Sequence, residues 1–385
     1  MCGSLDLGMI RITQQSNARS ANRCYATADY YSQGRGIVSS WGGKGASRLG
    51  LDGIVDKVFF SRLCDNQVPR SGKRVTVRTR SRRTVGYDFR FSVSKSVSLL
   101  YGMSGDQAIL DAFLSAVNET MREMEAEMKT RVRKAGEDTD RTTGNMVWAE
   151  FVHTTSCPVD GFCDPQLHAY VFVFNMTWDG EEERWKAAVF GHLKRDAPYF
   201  QAAFRVRVTD KLQELGFGVE RNGGDFEIAG IPPDVLKRFS RRTALIERVA
   251  QERGITDPRW KAELGRKTRE KQGAPCGMER LRREWKARLT GQERQVLASV
   301  YRRETPYARQ VNGEALAVDH AIEQCFVGEA VVPERTLIAE ALKRGIGAVT
   351  VESVTRELGN RPLIWSDVAG RKMGKLSLEG DQPAL

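Results

Sequence analysis

The chain has 385 residues, of which 41% are apolar and 28% are charged, and this balance excludes a wholly disordered protein. A chain of this length exceeds one typical hydrophobic core, so it predicts one large domain and a smaller one. Lys and Arg outnumber Asp and Glu by 60 to 49, and the net charge of +11 favours a polyanionic partner such as nucleic acid, although charge alone fits an inert basic surface equally well.

The amino-terminal third is predicted to contain strands with one basic face. Residues 1–8 are predicted to be a polar extension, because a strand pattern begins at Met9. The glycine-rich segment "WGGKGASRLGL" around Lys44 predicts a turn that lets the backbone approach another group closely. Alternating residues in "RVTVRTR" and "YDFRFSV" predict strands, and a helix is expected to begin near Lys95.

The middle of the chain is predicted to mix helices with hairpins. Apolar residues at helical spacing predict a helix over 105–133, and the polar segment 136–145 is expected to be a turn. A hairpin follows, with strands over 146–154 and 166–177. The later predicted elements are a helix over 195–217, a second hairpin over 218–230 and a proline-initiated helix over 231–254.

The mixed order of strands and helices predicts an α+β fold rather than a regular βαβ repeat. We expect a large domain over 9–256. Residues 257–295 are rich in charge and predict a linker or a solvated helix, and residues 296–385 predict a small helical domain. No phosphate-loop signature occurs in the sequence.

The sequence predicts no membrane span, because no window approaches the roughly 20 apolar residues that a transmembrane helix needs. The amino terminus lacks a basic segment followed by an apolar core, and seven irregularly spaced cysteines do not indicate a disulfide framework. We therefore expect a cytoplasmic protein, and a monomer.

Two of the four histidines lie on the strands of the predicted central hairpin. His153 and His168 can face the same side of the sheet and converge on a divalent cation, since neutral imidazole is the commonest protein metal ligand. His192 and His320 have no such pairing and are interpreted as ordinary residues. Tyr170 follows His168 by two positions, so it points to the same face of the strand.

A tyrosine cluster near the amino terminus offers candidate nucleophiles. Tyr25, Tyr30 and Tyr31 lie within seven positions, and the alternative interpretation is that they are core aromatics. Tyrosine forms covalent intermediates in some enzymes. Attack on a phosphodiester by a phenol benefits from a metal that neutralises developing charge.

Five segments follow one another in the sequence: the tyrosine cluster, "WGGKGASRLGL", "GYDFRFSVSKSVS", "TTGNMVWAEFVHTTS" and "DPQLHAYVFVFN". In this order they resemble the relaxase domain of conjugative relaxase-helicases, the MobF-type members of the HUH endonucleases. The resemblance covers roughly residues 9–250 and implies a central antiparallel sheet with flanking helices. Residues 317–358 resemble the segment that opens the helicase half of such proteins, and no Walker motif follows.

The resemblance implies the chemistry of the tyrosines. Tyr25 matches the nucleophile that attacks the scissile phosphate, giving a 5′-phosphotyrosyl link and a free 3′-hydroxyl. Tyr30 and Tyr31 match a second pair that acts in strand transfer or in substrate packing. Cys24 stands where relatives often have an adjacent tyrosine.

The resemblance also implies a metal site for Mg²⁺ or Mn²⁺. His153 and His168 match two of three metal-binding histidines, and Asp88 matches the carboxylate that supports them. Tyr170 replaces the third histidine. Three alternatives follow: the metal is held by two histidines with water or Asp88, the site has lost its activity, or the site holds another metal. For the third alternative, a Zn²⁺ site formed by both histidines with Cys157 and Cys163 is a weakly supported example.

The implied partner is single-stranded DNA at an origin-of-transfer hairpin, with relaxosome accessory proteins as further possible partners. The candidate phosphate contacts are Lys44, Arg80, Lys95, Arg241 and Arg242, with solvated surface residues as the equal alternative.

The leading hypothesis is a metal-dependent, strand-specific DNA relaxase that nicks and rejoins DNA at a transfer origin. The alternative is a catalytically impaired module, derived from a relaxase, that still binds single-stranded DNA or a hairpin. A third hypothesis, initiation of rolling-circle replication, shares the same chemistry.

Overall fold

The computed structural model describes residues 10–16, 39–77, 83–134, 136–268, 277–301, 313–368 and 371–376. Tyr25, Tyr30, Tyr31 and Arg80 lie outside the described residues. The described residues form two compact units. The first draws on the ranges 1–107, 117–194 and 231–297, and the second on 108–116, 195–230 and 298–385.

The strands and helices of the described residues are as follows. The strands are β1 (Ile10–Gln15), β2 (Ser39–Gly42), β3 (Gly86–Ser92), β4 (Lys129–Lys134), β5 (Glu137–Thr142), β6 (Trp148–Thr155), β7 (Pro165–Phe174), β8 (Thr177–Asp179), β9 (Arg184–Lys186), β10 (Ala188–Val189), β11 (Val219–Asn222), β12 (Asp225–Ile228), β13 (Val332–Pro333), β14 (Leu363–Val368) and β15 (Arg371–Leu376). The helices are α1 (Lys44–Arg48), α2 (Lys57–Cys64), α3 (Lys95–Ser104), α4 (Gln107–Ala126), α5 (Gly191–Arg195), α6 (Ala197–Glu214), α7 (Pro233–Arg238), α8 (Arg241–Glu252), α9 (Pro258–Lys267), α10 (Met278–Ala287), α11 (Gly291–Tyr301), α12 (Gly313–Cys325), α13 (Glu334–Arg344) and α14 (Val351–Gly359). This mixture confirms the predicted α+β class.

A five-stranded sheet with the order β1-β3-β7-β6-β2 forms the centre of the first unit, and every neighbouring pair is antiparallel. β6 and β7 are the two strands of the predicted central hairpin. β7 lies in the middle of the sheet, and nearly all of its residues are buried because both faces are covered. The alternation of side chains then decides which residues reach which face.

One face of the sheet is covered by helix α3. The amide of Leu167 in β7 donates to Ser98 Oγ of α3 at 3.1 Å, and Leu99 and Leu100 of the helix are buried. The opposite face is covered at one end by α2, whose Phe60 lies 5.4 Å from Phe172 between ring centroids. The other end of this second face carries the histidines.

Glu150 of β6 lies on the face opposite the histidines and is 3% exposed. Its Oε1 atom has no hydrogen-bond partner among the described residues. Burial raises the pKa of Glu150 from 4.5 to about 7. The buried carboxyl is therefore neutral below pH 7 and costs stability when it ionises.

We expect Glu150→Gln to stabilise the protein above pH 7, by on the order of 3 kcal/mol, since each pKa unit corresponds to 1.36 kcal/mol. Because the pKa of this carboxyl is raised in the folded state, the folded protein loses stability as the pH rises from about 4.5 to about 7. Urea unfolding at pH 5 and pH 8 checks this result. Glu137→Gln, at an exposed position, serves as the control and should shift neither midpoint; equal effects of the two variants at pH 8 would contradict the prediction.

The helix predicted over 105–133 is too long, and the turn predicted over 136–145 is largely a strand. α4 ends at Ala126, after which β4 and β5 form an antiparallel hairpin. Cross-strand ion pairs join Arg131 to Asp140 and Arg133 to Asp138. Both strands of the hairpin carry charged side chains. Their sequence therefore lacks the alternation of apolar and polar residues by which a strand is predicted.

The helix predicted over 231–254 is two helices, α7 and α8. The chain bends at Phe239 and Ser240, where Phe239 is fully buried. The break exposes the first backbone N–H of α8, and Arg241 N donates to Asp164 Oδ2 at 2.9 Å. A carboxylate at a helix amino terminus satisfies one of its unpaired donors, which explains the break.

Residues 257–295, expected to be a linker or a solvated helix, contain α9 and α10 and the start of α11. Trp285 of α10 is 1% exposed, and its indole N–H donates to the carbonyl of Cys163 at 2.9 Å. The buried side of α10 was not predicted, because the charged residues on its outer side dominate the composition of the segment.

The second unit combines the carboxy-terminal segment with residues 195–230. Residues 296–385, expected to form a small helical domain, contain helices and also the three-stranded antiparallel sheet β13-β15-β14. Gln213 of α6 donates to the carbonyl of Gly347 at 2.8 Å, which ties the two parts together. The predicted hairpin over 218–230 is present as β11 and β12.

Within the described ranges, no helix has both the length and the apolar content needed to cross a bilayer.

Candidate active site

The two histidines of the central hairpin face each other directly. β6 and β7 pair with His153 opposite His168, and the ladder becomes irregular immediately beyond, between His153 and Thr155. The imidazole rings are stacked, with centroids 5.1 Å apart and planes inclined by 22°. Both residues are buried, at 2% and 5% exposure. The register therefore brings the two scarce imidazoles into one small site.

Tyr170 completes a triangle of rings with the histidines. Its ring centroid lies 5.2 Å from that of His153 and 5.2 Å from that of His168. It stands edge-on to both, at 84° and 75°. Because Tyr170 follows His168 by two residues, the pleat of β7 places them on the same face.

Both imidazoles are held in the neutral form. Burial, together with the nearby charge of Arg90, lowers the pKa of His153 to about 3 and that of His168 well below its usual value. His168 Nδ1 lies 3.0 Å from the carbonyl oxygen of Gln166, which can only accept, so Nδ1 carries the proton. The lone pair of His168 is therefore on Nε2, as a metal ligand requires.

This donor set fits a divalent cation. His153 and His168 would hold it through neutral imidazole nitrogen, with Tyr170 as a third contact. Among the described residues, no group of three or more His, Cys, Asp and Glu side chains could hold a metal. The weak alternative of a Zn²⁺ site with Cys157 and Cys163 is therefore wrong, because both cysteines lie beyond the Thr155–Pro165 rung, towards the tip of the hairpin.

Asp88 lies on the same face of the sheet, but further along. It pairs with Phe172 in β7, whereas the partner of His168 is Ser92, four residues from Asp88 and about 13 Å along the strand. Arg90 lies between them and pairs with Tyr170. Arg90 was not among the residues predicted from the sequence, although its spacing of two from Asp88 places it on the same face of the strand.

The basic candidates lie in different settings. Lys44 is exposed at the start of α1, where its backbone N–H donates to Glu125 Oε1 at 2.7 Å. Lys95 Nζ donates to the carbonyl of Pro165 at 2.9 Å, at the start of β7. Arg242 donates to the carbonyls of Gly265 and Thr268. For each of them, a contact with DNA stays a prediction.

Arg241 and Arg288 converge on Asp164, which is 2% exposed. Asp164 accepts from Arg241 Nε at 3.0 Å and Nη2 at 2.9 Å, and from Arg288 Nη1 at 2.7 Å. Burial alone would raise the pKa of Asp164, but the hydrogen bonds from the two arginines lower it below its usual value. Asp164 precedes β7 directly, so this cluster anchors the histidine hairpin to α8 and α10.

Comparison with known proteins places the chain in a family. The model of the TrwC relaxase family matches residues 13–292. The multifunctional conjugation protein TraI of Escherichia coli strain K12 is 32% identical over 254 residues, which are 63% of this chain and 14% of TraI. The chain therefore spans only a small part of that relative.

Solved structures agree with this assignment. The conjugative relaxase TrwC in complex with oriT DNA, in a copper-bound structure, is 30% identical with a TM-score of 0.65, over 75% of this chain and 99% of the other. TrwC complexed with a 27-mer DNA comprising the recognition hairpin and the cleavage site is 29% identical with a TM-score of 0.63, over the same shares of the two chains. The resemblance found in the sequence is thus confirmed, and the chain belongs to the TrwC relaxase family.

Proposed function

We propose that this chain is a DNA relaxase that nicks and rejoins one DNA strand at a transfer origin. The observation that carries the proposal is the triangle of His153, His168 and Tyr170, in which both imidazoles are buried and neutral. Membership of the relaxase family and the likeness to DNA-bound TrwC support it. We propose Mg²⁺ or Mn²⁺ as the bound ion and the cytoplasm as the place of action.

The proposed reaction exchanges one phosphate ester for another. The hydroxyl oxygen of Tyr25 attacks the scissile phosphorus and releases its proton to solvent, the bond from phosphorus to the 3′-oxygen breaks, and the 3′-oxygen takes up a proton from solvent. The product is a 5′-phosphotyrosyl ester and a free 3′-hydroxyl, and attack by a 3′-hydroxyl reverses the step. A cation at the histidine site would neutralise charge on the phosphate. Ester exchange stores the bond energy, so nicking needs no ATP.

The proposed substrate is single-stranded DNA beside a hairpin, as in the TrwC complex with a hairpin-containing 27-mer. The residues proposed to contact its phosphates are Lys44, Arg80, Lys95, Arg241 and Arg242. Tyr30 and Tyr31 are proposed to act in strand transfer or in packing of the substrate, and Asp88 to support the site. Relaxosome accessory proteins are proposed as further partners.

The test is a search for a covalent adduct. The protein is incubated with Mn²⁺ and single-stranded oligonucleotides that tile the neighbourhood of its own gene, and the products are separated on a denaturing gel. Mass spectrometry of the retarded band should find a DNA fragment linked to a tyrosine. If tight DNA binding occurs without any adduct in the presence of metal, the proposed activity is wrong.

A second candidate is a binding module without nicking activity. Two positions favour it, since Tyr170 stands in place of a third histidine and Cys24 in place of a tyrosine. The double variant Tyr170→His with Cys24→Tyr separates the candidates. An adduct formed by this variant alone would establish the binding module, whereas an adduct formed by the unchanged chain would exclude it.

We expect Tyr170→His to tighten Mn²⁺ binding about tenfold or more, because a neutral imidazole is a better ligand than a phenol that must first lose its proton. Calorimetry without DNA measures this change. Tyr170→Phe is the matched control, since it keeps the ring and removes the oxygen. If all three proteins bind Mn²⁺ equally, Tyr170 does not face the metal.

A further inference from the structure

Arg90 lies on the histidine face of the sheet, on the strand next to β7. In β3 it pairs with Tyr170 of β7, and it is two residues from Ser92, the partner of His168. Its guanidinium carbon lies 5.6 Å from the centroid of the Tyr170 ring. Strand alternation puts the side chains of Arg90, Tyr170 and His168 on one face.

The hydrogen bonding of Arg90 differs from that of the other partly buried arginines near the hairpin. Arg241 and Arg288 donate to Asp164, and Arg242 donates to the carbonyls of Gly265 and Thr268. The Nε atom of Arg90 is buried without a hydrogen-bond partner among the described residues. Nor do those residues supply a carboxylate within ion-pairing distance of it.

This arrangement is unfavourable for the chain by itself. Arg90 is partly buried, and a buried N–H donor without an acceptor, such as its Nε, costs about 1–3 kcal/mol. The charge of Arg90 also acts on both imidazoles and therefore repels any cation placed between them. Both costs fall when an anion with accepting oxygens occupies the same face.

We infer that Arg90 binds a non-bridging oxygen of the scissile phosphate and supplies part of the charge neutralisation there. The inference deepens the proposed function and rests on it. A guanidinium stays charged and presents several N–H donors in a plane, a geometry that suits phosphate oxygens. Arg90 forms no covalent bond in the reaction; it stabilises the negative charge of the phosphate as the tyrosyl ester forms.

A purely structural role gives a different expectation. If Arg90 only stacks on Tyr170, then its loss weakens the fold and should impair metal binding and DNA binding together. If Arg90 serves the phosphate, its loss should affect the two in opposite directions. In the protein without metal and DNA, the charge of Arg90 is destabilising, whereas in the DNA complex the same charge stabilises the bound phosphate.

The first experiment compares Arg90→Gln with Arg131→Gln. Arg131 is 61% exposed on the β4–β5 hairpin, so the control removes the same charge away from the site. Calorimetry should show that Arg90→Gln binds Mn²⁺ several-fold more tightly, and that Arg131→Gln does not. The rate of adduct formation should fall by about 10²-fold in Arg90→Gln, as for loss of one preorganised donor. Arg90→Lys should restore part of it.

The second experiment locates the contact. An oligonucleotide with a single methylphosphonate at the scissile position lacks the negative charge of that phosphate, and only binding is measured. With EDTA present, so that no cation contacts the phosphate, the unchanged protein should bind it about tenfold more weakly than normal DNA, and Arg90→Gln should bind the two equally. Circular dichroism of each variant confirms that the fold is retained.

The outcomes are distinguishable. The role of Arg90 is overturned if Arg90→Gln and Arg131→Gln lose equal DNA affinity. It is also overturned if Arg90→Gln still binds the methylphosphonate DNA as much more weakly as the unchanged protein does. In either case, an adduct formed by the unchanged chain still supports the relaxase activity. Absence of any adduct in the unchanged chain overturns the proposed function itself. Weaker binding of Mn²⁺ by Arg90→Gln assigns the residue to structure and also overturns the inference.

Discussion

We expect Tyr25→Phe to abolish the covalent protein–DNA adduct while single-stranded DNA binding remains. Phenylalanine keeps the ring but lacks the oxygen that would form the new bond to phosphorus, so no 5′-phosphotyrosyl ester can arise at this position. Loss of a nucleophile lowers the rate by roughly 10³-fold or more. Denaturing gels measure the adduct, and fluorescence anisotropy with a labelled oligonucleotide measures binding.

Tyr30→Phe and Tyr31→Phe are the matched controls, because each removes one hydroxyl from the same cluster. Both should retain the adduct of the first cleavage and should change only a later strand-transfer step. An adduct at normal rate in Tyr25→Phe, mapped by mass spectrometry to Tyr30 or Tyr31, would move the nucleophile to that residue. The metal site and the role of Arg90 would be unaffected by that result.

The second large effect is expected on stability, from Asp164→Asn. Asp164 is buried and accepts hydrogen bonds from Arg241 and Arg288, so the neutral amide leaves two guanidinium groups without their counter-charge. Removing one partner of a buried ion pair costs about 3–5 kcal/mol. Urea unfolding at pH 7, followed by circular dichroism, measures this loss.

The pH dependence of this effect has a definite sign. The pKa of Asp164 is lowered in the folded protein. The ionised carboxylate therefore makes its full contribution to the free energy of unfolding above the unfolded-state pKa of about 3.9. This contribution is lost as the pH falls through the pKa of the folded state. The difference between the two proteins should therefore shrink in acid. Asp234→Asn is the control, since Asp234 and Lys237 form an exposed ion pair worth less than about 1 kcal/mol. Equal effects of the two variants at pH 7 would show that Asp164 does not anchor the hairpin.

The candidate site was predictable where its residues lie close together in the sequence. His168 and Tyr170 share one strand, and a short hairpin joins that strand to His153, so local alternation was enough to place all three on one face. Arg90 comes from a strand more than sixty residues away. Its position depends on the pairing of β3 with β7, which the sequence pattern does not specify.

The fold was predictable where apolar residues follow a clear period. The central hairpin and the β11–β12 hairpin are close to their predicted positions. The β4–β5 hairpin was missed because its strands are held by charged pairs such as Arg131 and Asp140. Trp285 was missed because one buried aromatic in a charged segment does not change the average composition.

The α+β class, the relaxase resemblance and the shared strand face of His153, His168 and Tyr170 follow from the amino-acid sequence alone, because they depend on periodicity, motif order and local strand geometry. The charges that act on these three side chains depend instead on how distant segments of the chain pack together. Strand pairing brings Arg90 beside the histidines, and the packing of α8 and α10 on the hairpin turns Arg241 and Arg288 towards Asp164. Electrostatic interactions depend on distance and burial in space, and residues remote in sequence acquire both only when the chain folds.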